Sequence, residues 1–222
     1  MQEPLARQWS GRMHQASGSG EEESWVDLSI YHNGGYDAGR GVLLRCLWYI
    51  VSLLIFESGW VPLSGPKAVL LRLFGARIGK RSIIKPNVRI KYPWRLHVGD
   101  HCWIGQEVWI DNLADVHLGD HVCLSQRAYL CTGSHDYNRR TFDLITSPIS
   151  IGAGAWVGAA AIVLAGVRLS SNTVIAAGSL VKDDFPSASV VAGTPARTVK
   201  HRSISPDVPN ADVVDESDPR AA

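Results

Sequence analysis

From residue 78 onward an aliphatic side chain returns at every sixth position: Ile78, Ile84 and Ile90; Val98, Ile104 and Ile110; Leu118, Leu124 and Leu130. After an interruption the series resumes with Ile151, Val157, Val163, Leu169, Ile175 and Val181. The residue that follows is usually small, as in Gly79, Gly99, Gly105, Gly119, Gly152 and Gly158. Four positions after each aliphatic stands a second, mostly small or apolar set, running from Ser82 and Val88 through Ala114 and Ser134 to Thr173 and Ser179. A helix repeats about every 3.6 residues and a strand about every 2, so neither alone accommodates this spacing. A short strand followed by a tight corner does, with three such units closing one triangular turn of a coil. The aliphatics then stack inside a prism, β-branched residues favour its extended sides, and glycine relieves crowding at its corners. Ile90 to Val98 and Ile110 to Leu118 are steps of eight, so the early coils are 20 residues long and the later ones 18. Fifteen aliphatics at three per turn predict five coils, each bonded to the next as parallel strands.

Leu130 to Ile151 spans 21 residues where six are expected, so 15 must leave the coil, and they are placed in a loop over 136–150. An excursion of that length inside a regular array is more often functional than accidental. His135 stands at its root, directly after Ser134, which reads as inward-facing. Ahead of the coil, residues 27–77 carry the most apolar run of the chain, "VLLRCLWYIVSLLIF" over 42–56, interrupted by Arg45 and followed by Glu57. It falls short of the roughly 18–20 apolar residues that a bilayer span needs. Two readings stay open for it: a helix buried against the coil, or a helix lying on the inner membrane surface. Residues 1–26, with "ASGSGEEES", and 201–222 are too polar and acidic to offset the entropy of ordering and read as disordered tails.

A chain of 222 residues, 45% of them hydrophobic, can fill a core along the 78–200 domain. Its 22 basic residues against 21 acidic ones leave a net charge of +1, with no basic stripe, which argues against nucleic acid as a partner. Cys46, Cys102, Cys123 and Cys131 have no metal-binding or redox spacing, and "MQEPLARQWSGRMHQ" lacks the apolar core of a secretory signal. A reducing, cytoplasmic location fits.

The hexapeptides, with "ISIGAGAWVGAAAIVLAGV", "AAGSLVKDDFP" and "VVAGTPAR", resemble the hexapeptide-repeat acyltransferases, whose fold is a left-handed parallel β-helix. "FGARIG", "IKYPWRLHVGDHCWIG", "IDNLADVHLGD" and "AYLCTGSHDYNRRTFDL" narrow the resemblance to the colanic acid biosynthesis acetyltransferases, relatives of maltose and galactoside O-acetyltransferases. The likeness covers residues 27–200. It implies an all-β fold with an N-terminal helical element, a short C-terminal helical segment, and transfer of acetyl from acetyl-CoA to a sugar hydroxyl of an exopolysaccharide or related glycan precursor. It implies a homotrimer with active sites between subunits, a sugar or glycolipid acceptor, and no metal.

In this resemblance His135 matches the catalytic histidine, a base able to take a hydroxyl proton near neutral pH. Asp136 either orients the ring or simply begins the loop. Trp156, Ala159 and Ala177 match positions lining the pantetheine channel, and Arg197 and Lys200 match cations that meet the nucleotide end. Their spacing of three would set them on one face if that segment is helical. Lys182, followed by Asp183, stands one position away from the usual Thr-Lys pair, which puts its phosphate contact in doubt. Glu107 stands where relatives acting on simple galactosides carry an asparagine, and the nearby Asp111 and Asn112 are further candidates for sugar hydroxyls. Two other classes compete. His97 with His117, and His101 with His121, are 20 apart and so one coil apart, which raises a zinc enzyme of the γ-carbonic anhydrase type, although that family's own pattern is missing. The third class is a non-catalytic trimeric scaffold, against which the joint presence of His135, Trp156, Arg197 and Lys200 speaks.

Overall fold

The computed structural model describes residues 24–204, in which the six-residue periodicity closes into a parallel β-helix with three faces. The first face stacks Arg77–Ile78, Leu96–Val98, Val116–Leu118, Ile149–Ile151 and Arg168–Leu169. The second stacks Ile83–Ile84, Trp103–Ile104, Cys123–Leu124, Trp156–Val157 and Val174–Ile175. The third stacks Arg89–Ile90, Trp109–Asp111, Tyr129–Cys131, Ile162–Val163 and Leu180–Val181. These make the five expected coils. All fifteen aliphatics of the six-step series are buried, and each lies in register with its counterpart one coil away, as in Ile84, Ile104, Leu124, Val157 and Ile175. Full burial of such a side chain stabilises the fold by about 1.5–3 kcal/mol.

The corners explain the small residues, with one change to the expectation. Gly158 follows its aliphatic because the next coil lies against it: a Cβ there would sit 2.6 Å from the Ala177 nitrogen. The left-handed backbone comes two residues later, at Arg81, His101 and His121 on one corner and at Asn87, Glu107 and Arg127 on the next. The second inward set also needs correcting. Ala114 and Ser134 are only half-buried, because at the enlarged third corner the inward residue lies two before the next aliphatic; Leu96, Val116 and Ile149 fill that position and are fully buried.

The N-terminal end of the prism is closed by two helices, α1 (Val42–Val51) and α2 (Ser64–Leu73), with a π-helical turn at Ser52–Glu57 extending α1. Trp48 and Phe56 are buried beneath α1, while its outer face is left bare. Side chains of the cap satisfy the open strand edge on every face. Arg72 Nη2 donates to the Ile78 carbonyl at 2.8 Å, Ser64 Oγ accepts from the Ile84 N–H at 3.0 Å, and Trp48 Nε1 donates to the Ile90 carbonyl at 2.9 Å. Lys67, fully buried, adds a bond from Nζ to the Lys85 carbonyl at 3.0 Å, and its pKa is pushed down by desolvation.

The C-terminal segment is not helical. Ser189–Gly193 adds a parallel strand to the second face and turns back through Thr194 and Pro195 into Ala196–His201, its antiparallel partner. β-Branched Val190, Val191, Thr198 and Val199 suit a hairpin, and the hairpin covers an edge that a helix would leave open. The expected boundary at residue 200 therefore falls inside a strand. The expected tails lie outside the described residues except for 24–26 and 201–204. Among the described residues no helix is long and apolar enough to cross a membrane.

Candidate active site

The chain leaves the prism one residue after Cys131. Thr132 is fully buried, and its carbonyl accepts from the Ser147 N–H at 2.9 Å, closing the neck of the excursion. Beyond the neck, Gly133–His135 pairs antiparallel with Leu144–Thr146, so the loop begins as a hairpin and Ser134 belongs to it rather than to the core. Asp136 begins the turn: its carboxylate accepts from the Asn138 N–H at 3.1 Å and pairs with Arg139 at 3.3 Å. Arg139 also holds Asp143 at 2.9 Å, and the Asp143 carboxyl is kept below its ordinary range by a hydrogen bond with the Thr141 side chain and by Arg139. Of the two readings for Asp136, the loop-building one is realised; the ring of His135 is oriented by another group.

That group is the carbonyl of Phe142, 3.1 Å from His135 Nδ1. A carbonyl can only accept, so this contact assigns the proton of the neutral ring to Nδ1 and leaves the Nε2 lone pair available. The Phe142 ring also stacks on the imidazole, with centroids 4.3 Å apart and planes 9° apart. Phe142 takes a positive φ of 49°, a conformation costing a bulky residue about 1–2 kcal/mol, to present both its ring and its carbonyl.

Sequence reasoning missed what lies over this hairpin. Residues 27–38 form a strap along the corner between the third and first faces. Asp27 N donates to the Arg140 carbonyl at 2.9 Å, the Leu144 N–H donates to the His32 carbonyl at 3.2 Å, and the Tyr31 ring stands 5.9 Å from that of His135. One coil lower, Tyr36 OH donates to the Leu113 carbonyl at 2.9 Å, and burial pushes its pKa up to about 12. Lowest, Trp94 Nε1 donates to the Ala38 carbonyl at 2.7 Å. The signal was present: both eight-residue steps fall in the corner that the strap covers.

The expected donor-side residues gather elsewhere. Trp156 projects half-exposed from the second face, its Nε1 donating to Ser125 Oγ at 2.8 Å. Ala159 and Ala177 stack at the corner between the second and third faces, where the Gly178 N–H donates to the Ala159 carbonyl at 2.8 Å. Their small side chains leave that backbone open to an extended chain, which fits a pantetheine arm. Asp183 lies between the expected cations, 3.0 Å from Arg197 and 3.7 Å from Lys182. Lys200 is exposed on the terminal strand, so a spacing of three no longer brings it to the face of Arg197 by helical geometry. Within the chain, His135 and this alanine edge occupy different corners of the prism.

The acceptor candidates divide in the same way. Glu107 lies on the donor corner, paired with Arg127 at 2.7 Å. Asp111 lies on the corner of His135, in register with Cys131, and is held by Lys91 at 3.0 Å. Asn112 is fully buried, and its amide bonds both backbone groups of Tyr92, at 2.9 and 2.7 Å, so it braces the coil and is closed to a sugar. The stacked histidines sit apart from all of these. His97 and His117 lie 4.4 Å apart on the first face, and burial, His117 and Arg77 push the His97 pKa down; His101 and His121 stack at 5.1 Å on a corner. Among the described residues no three histidine, cysteine or acidic side chains gather as metal ligands.

No family model matches the chain. The Escherichia coli (strain K12) protein WcaF, named as a colanic acid biosynthesis acetyltransferase, is 39% identical over 170 residues, covering 76% of this chain and 92% of that protein. The galactoside O-acetyltransferase of the same organism is 28% identical over 134 residues, covering 59% and 66%. Among solved structures, a hexapeptide-repeat acetyltransferase from Vibrio cholerae complexed with acetyl coenzyme A superposes with a TM-score of 0.67 at 27% identity, covering 78% of this chain and 96% of that one. A galactoside acetyltransferase in complex with coenzyme A gives 0.63 at 25% identity, covering 72% and 80%. The coil, the looped-out histidine and these likenesses define the chain as a member of the hexapeptide-repeat acetyltransferase family. Within it, the chain stands with the WcaF-type proteins.

Proposed function

We propose that the protein transfers an acetyl group from acetyl-CoA to a sugar hydroxyl of a surface-glycan precursor, with His135 as general base. The observation that carries this is the bond between His135 Nδ1 and the Phe142 carbonyl, which leaves Nε2 to take the hydroxyl proton. Acetyl-CoA supplies the activated thioester carbonyl. The chain itself holds the base in one tautomer, shields one side of it with Phe142 and Tyr31, and offers Trp156, Ala159 and Ala177 as an edge for the donor's arm. Arg197, Lys182 and Lys200 supply positive charge for phosphates, and Asp111 is the acid on the acceptor side.

Because His135 and the donor edge occupy different corners, the reaction needs the histidine loop of one protomer against the donor edge of another, and we assign a homotrimer on that ground. The acceptor belongs at the inner face of the cytoplasmic membrane, where surface-glycan precursors are assembled on a lipid or nucleotide carrier. The test is thiol release from acetyl-CoA with a panel of sugars and glycolipids, together with sedimentation of the active species. Acceptor-dependent release by a trimer is the expected result. Acetyl-CoA binding with no release for any acceptor would sink the transferase reading, and a fully active monomer would sink the shared site.

A further inference from the structure

We infer that the acidic segment 205–222 of this chain docks on the first face of its own prism, over the column Arg168, Ser150, His117, His97 and Arg77.

The column follows from the register. Arg77 pairs with His97, His97 with His117, His117 with Ser150 and Ser150 with Arg168, so five side chains one coil apart project from the same face. Four coil spacings make the column about 19 Å long. The guanidiniums of Arg77 and Arg168 stand exposed at its two ends, with no hydrogen bond or ion pair among the described residues. A groove of about 520 Å³ runs along this face, lined by Arg77, His97, His117 and Ser150 and kept open by Gly99, Gly119 and Gly152, which have no side chains to fill it. The imidazoles offer an N–H donor in either charge state, since even the neutral ring carries one.

Charge matches the segment to this face. Arg77, Arg168 and, on the adjoining corner, Lys80 and Arg81 supply four exposed cations. The acids among them are already engaged: Asp100 Oδ1 accepts from the Lys80 N–H at 2.7 Å, Asp120 Oδ1 from the Asp100 N–H at 2.8 Å, and Asp115 lies 3.8 Å from Arg95. Four cations less Asp100 and Asp120 leave +2 with the histidines neutral. Segment 205–222 holds Asp207, Asp212, Asp215, Glu216 and Asp218 against Arg220, five acids less one cation or −4.

The path of the chain delivers the segment to the same place. Ala196–His201 runs antiparallel to Ser189–Gly193, and so returns from the corner between the second and third faces to the corner between the first and second. There the Arg202 N–H donates to the Ala188 carbonyl at 2.6 Å and Arg202 Nη1 to the Gly154 carbonyl at 2.9 Å, which pins the chain at the edge of the first face. Eight extended residues beyond Ile204 reach about 26 Å, enough to bring Asp212 and the acids after it to Arg77 while Asp207 stays near Arg168.

The test treats the full-length chain with the protease Glu-C and follows loss of residues 217–222, released by cleavage after Glu216, by mass spectrometry. Arg77 and Arg168 are exposed and unpartnered, so an Arg77→Glu/Arg168→Glu variant should keep its far-UV circular dichroism. At low salt it should be cut about fivefold faster than wild type, and about 0.5 M sodium chloride should raise the wild-type rate to that of the variant. An Asp212→Lys/Asp215→Lys variant should in turn be cut about fivefold faster alone than in combination with Arg77→Glu/Arg168→Glu, because the combination restores opposite charge across the contact. Equal cleavage of wild type and the face variant at low salt, or no recovery of protection in the combination, overturns the proposal. Protection that fades on dilution overturns docking within one chain and makes the partner the first face of a second copy.

Discussion

The first and second coils take 20 residues, the third carries the 15-residue excursion, the fourth takes 18 and the fifth, where Leu169 bridges Phe185 and Ile175 pairs with Val191, takes 16, yet one continuous column of aliphatics runs through all five. The enlarged coils differ from the tight ones only at the corner between the third and first faces. There the extra residues receive the strap, brace Tyr92 with Asn112 and release the hairpin that carries His135. The tight coils offer closely stacked corners and a smooth edge of alanines. A repeat that buries its core identically in every turn leaves its corners free to diverge, so the looped-out histidine and the alanine edge could be built on one scaffold without disturbing it.

The largest effect that would break this contrast is chemical. His135→Asn should lower acceptor-dependent thiol release by about 10²–10⁴ while circular dichroism and acetyl-CoA binding hold, because only the base is removed. Next comes the tight side. Gly158→Val should destabilise by about 3 kcal/mol in denaturant titrations, since the next coil cannot move away from the new side chain. Gly178→Ala, at a φ of 69° with open space around it, should cost only about 1 kcal/mol.

A smaller effect probes the strap. Tyr36→Phe removes one half-buried bond to Leu113, worth about 1 kcal/mol. In the wild type the Tyr36 phenol stays neutral up to about 12, against 10.0 for the free group, so over that window the folded chain keeps a proton that the unfolded chain has lost. Its contribution is complete below pH 10 and disappears as pH rises toward 12, and the variant should lack that phase of alkaline destabilisation. The smallest effect lies at the donor edge. Asp183→Asn frees Arg197 and Lys182 from a carboxylate and should lower the KM for acetyl-CoA about threefold at low salt, with the gain fading as salt rises.

The coil was legible because its cause is local and repeated: each aliphatic meets its own counterpart one turn away, so spacing alone implies stacking. His135 was legible as an interruption of that spacing, and the resemblance then pointed to the role proposed for it. The partner that orients it was not. Phe142 acts through its backbone carbonyl and an unusual φ, and neither leaves a mark on residue type. The strap was hidden for a similar reason, since Asp27, His32 and Leu144 meet through main-chain bonds that almost any residue can make. Asn112 misled because a polar side chain beside a suspected site looks available, whereas the backbone of Tyr92 had claimed it. The terminal hairpin was misread because the likeness implied a helical segment there, although the β-branched Val190, Val191, Thr198 and Val199 favour strands.

The side-chain cap also governs size. Each coil of a β-helix is a template for another, and nothing in a six-residue repeat says where to stop. Arg72, Ser64 and Trp48 occupy the exposed edge of each face in turn, so the groups that would recruit a further coil, from this chain or from a neighbour, are already engaged. An array without residues 42–73 would present three parallel edges ready for end-to-end growth into fibres. The finite length of this solenoid is therefore a property of its terminal elements, the first helices at one end and the closing hairpin at the other, rather than of its repeats.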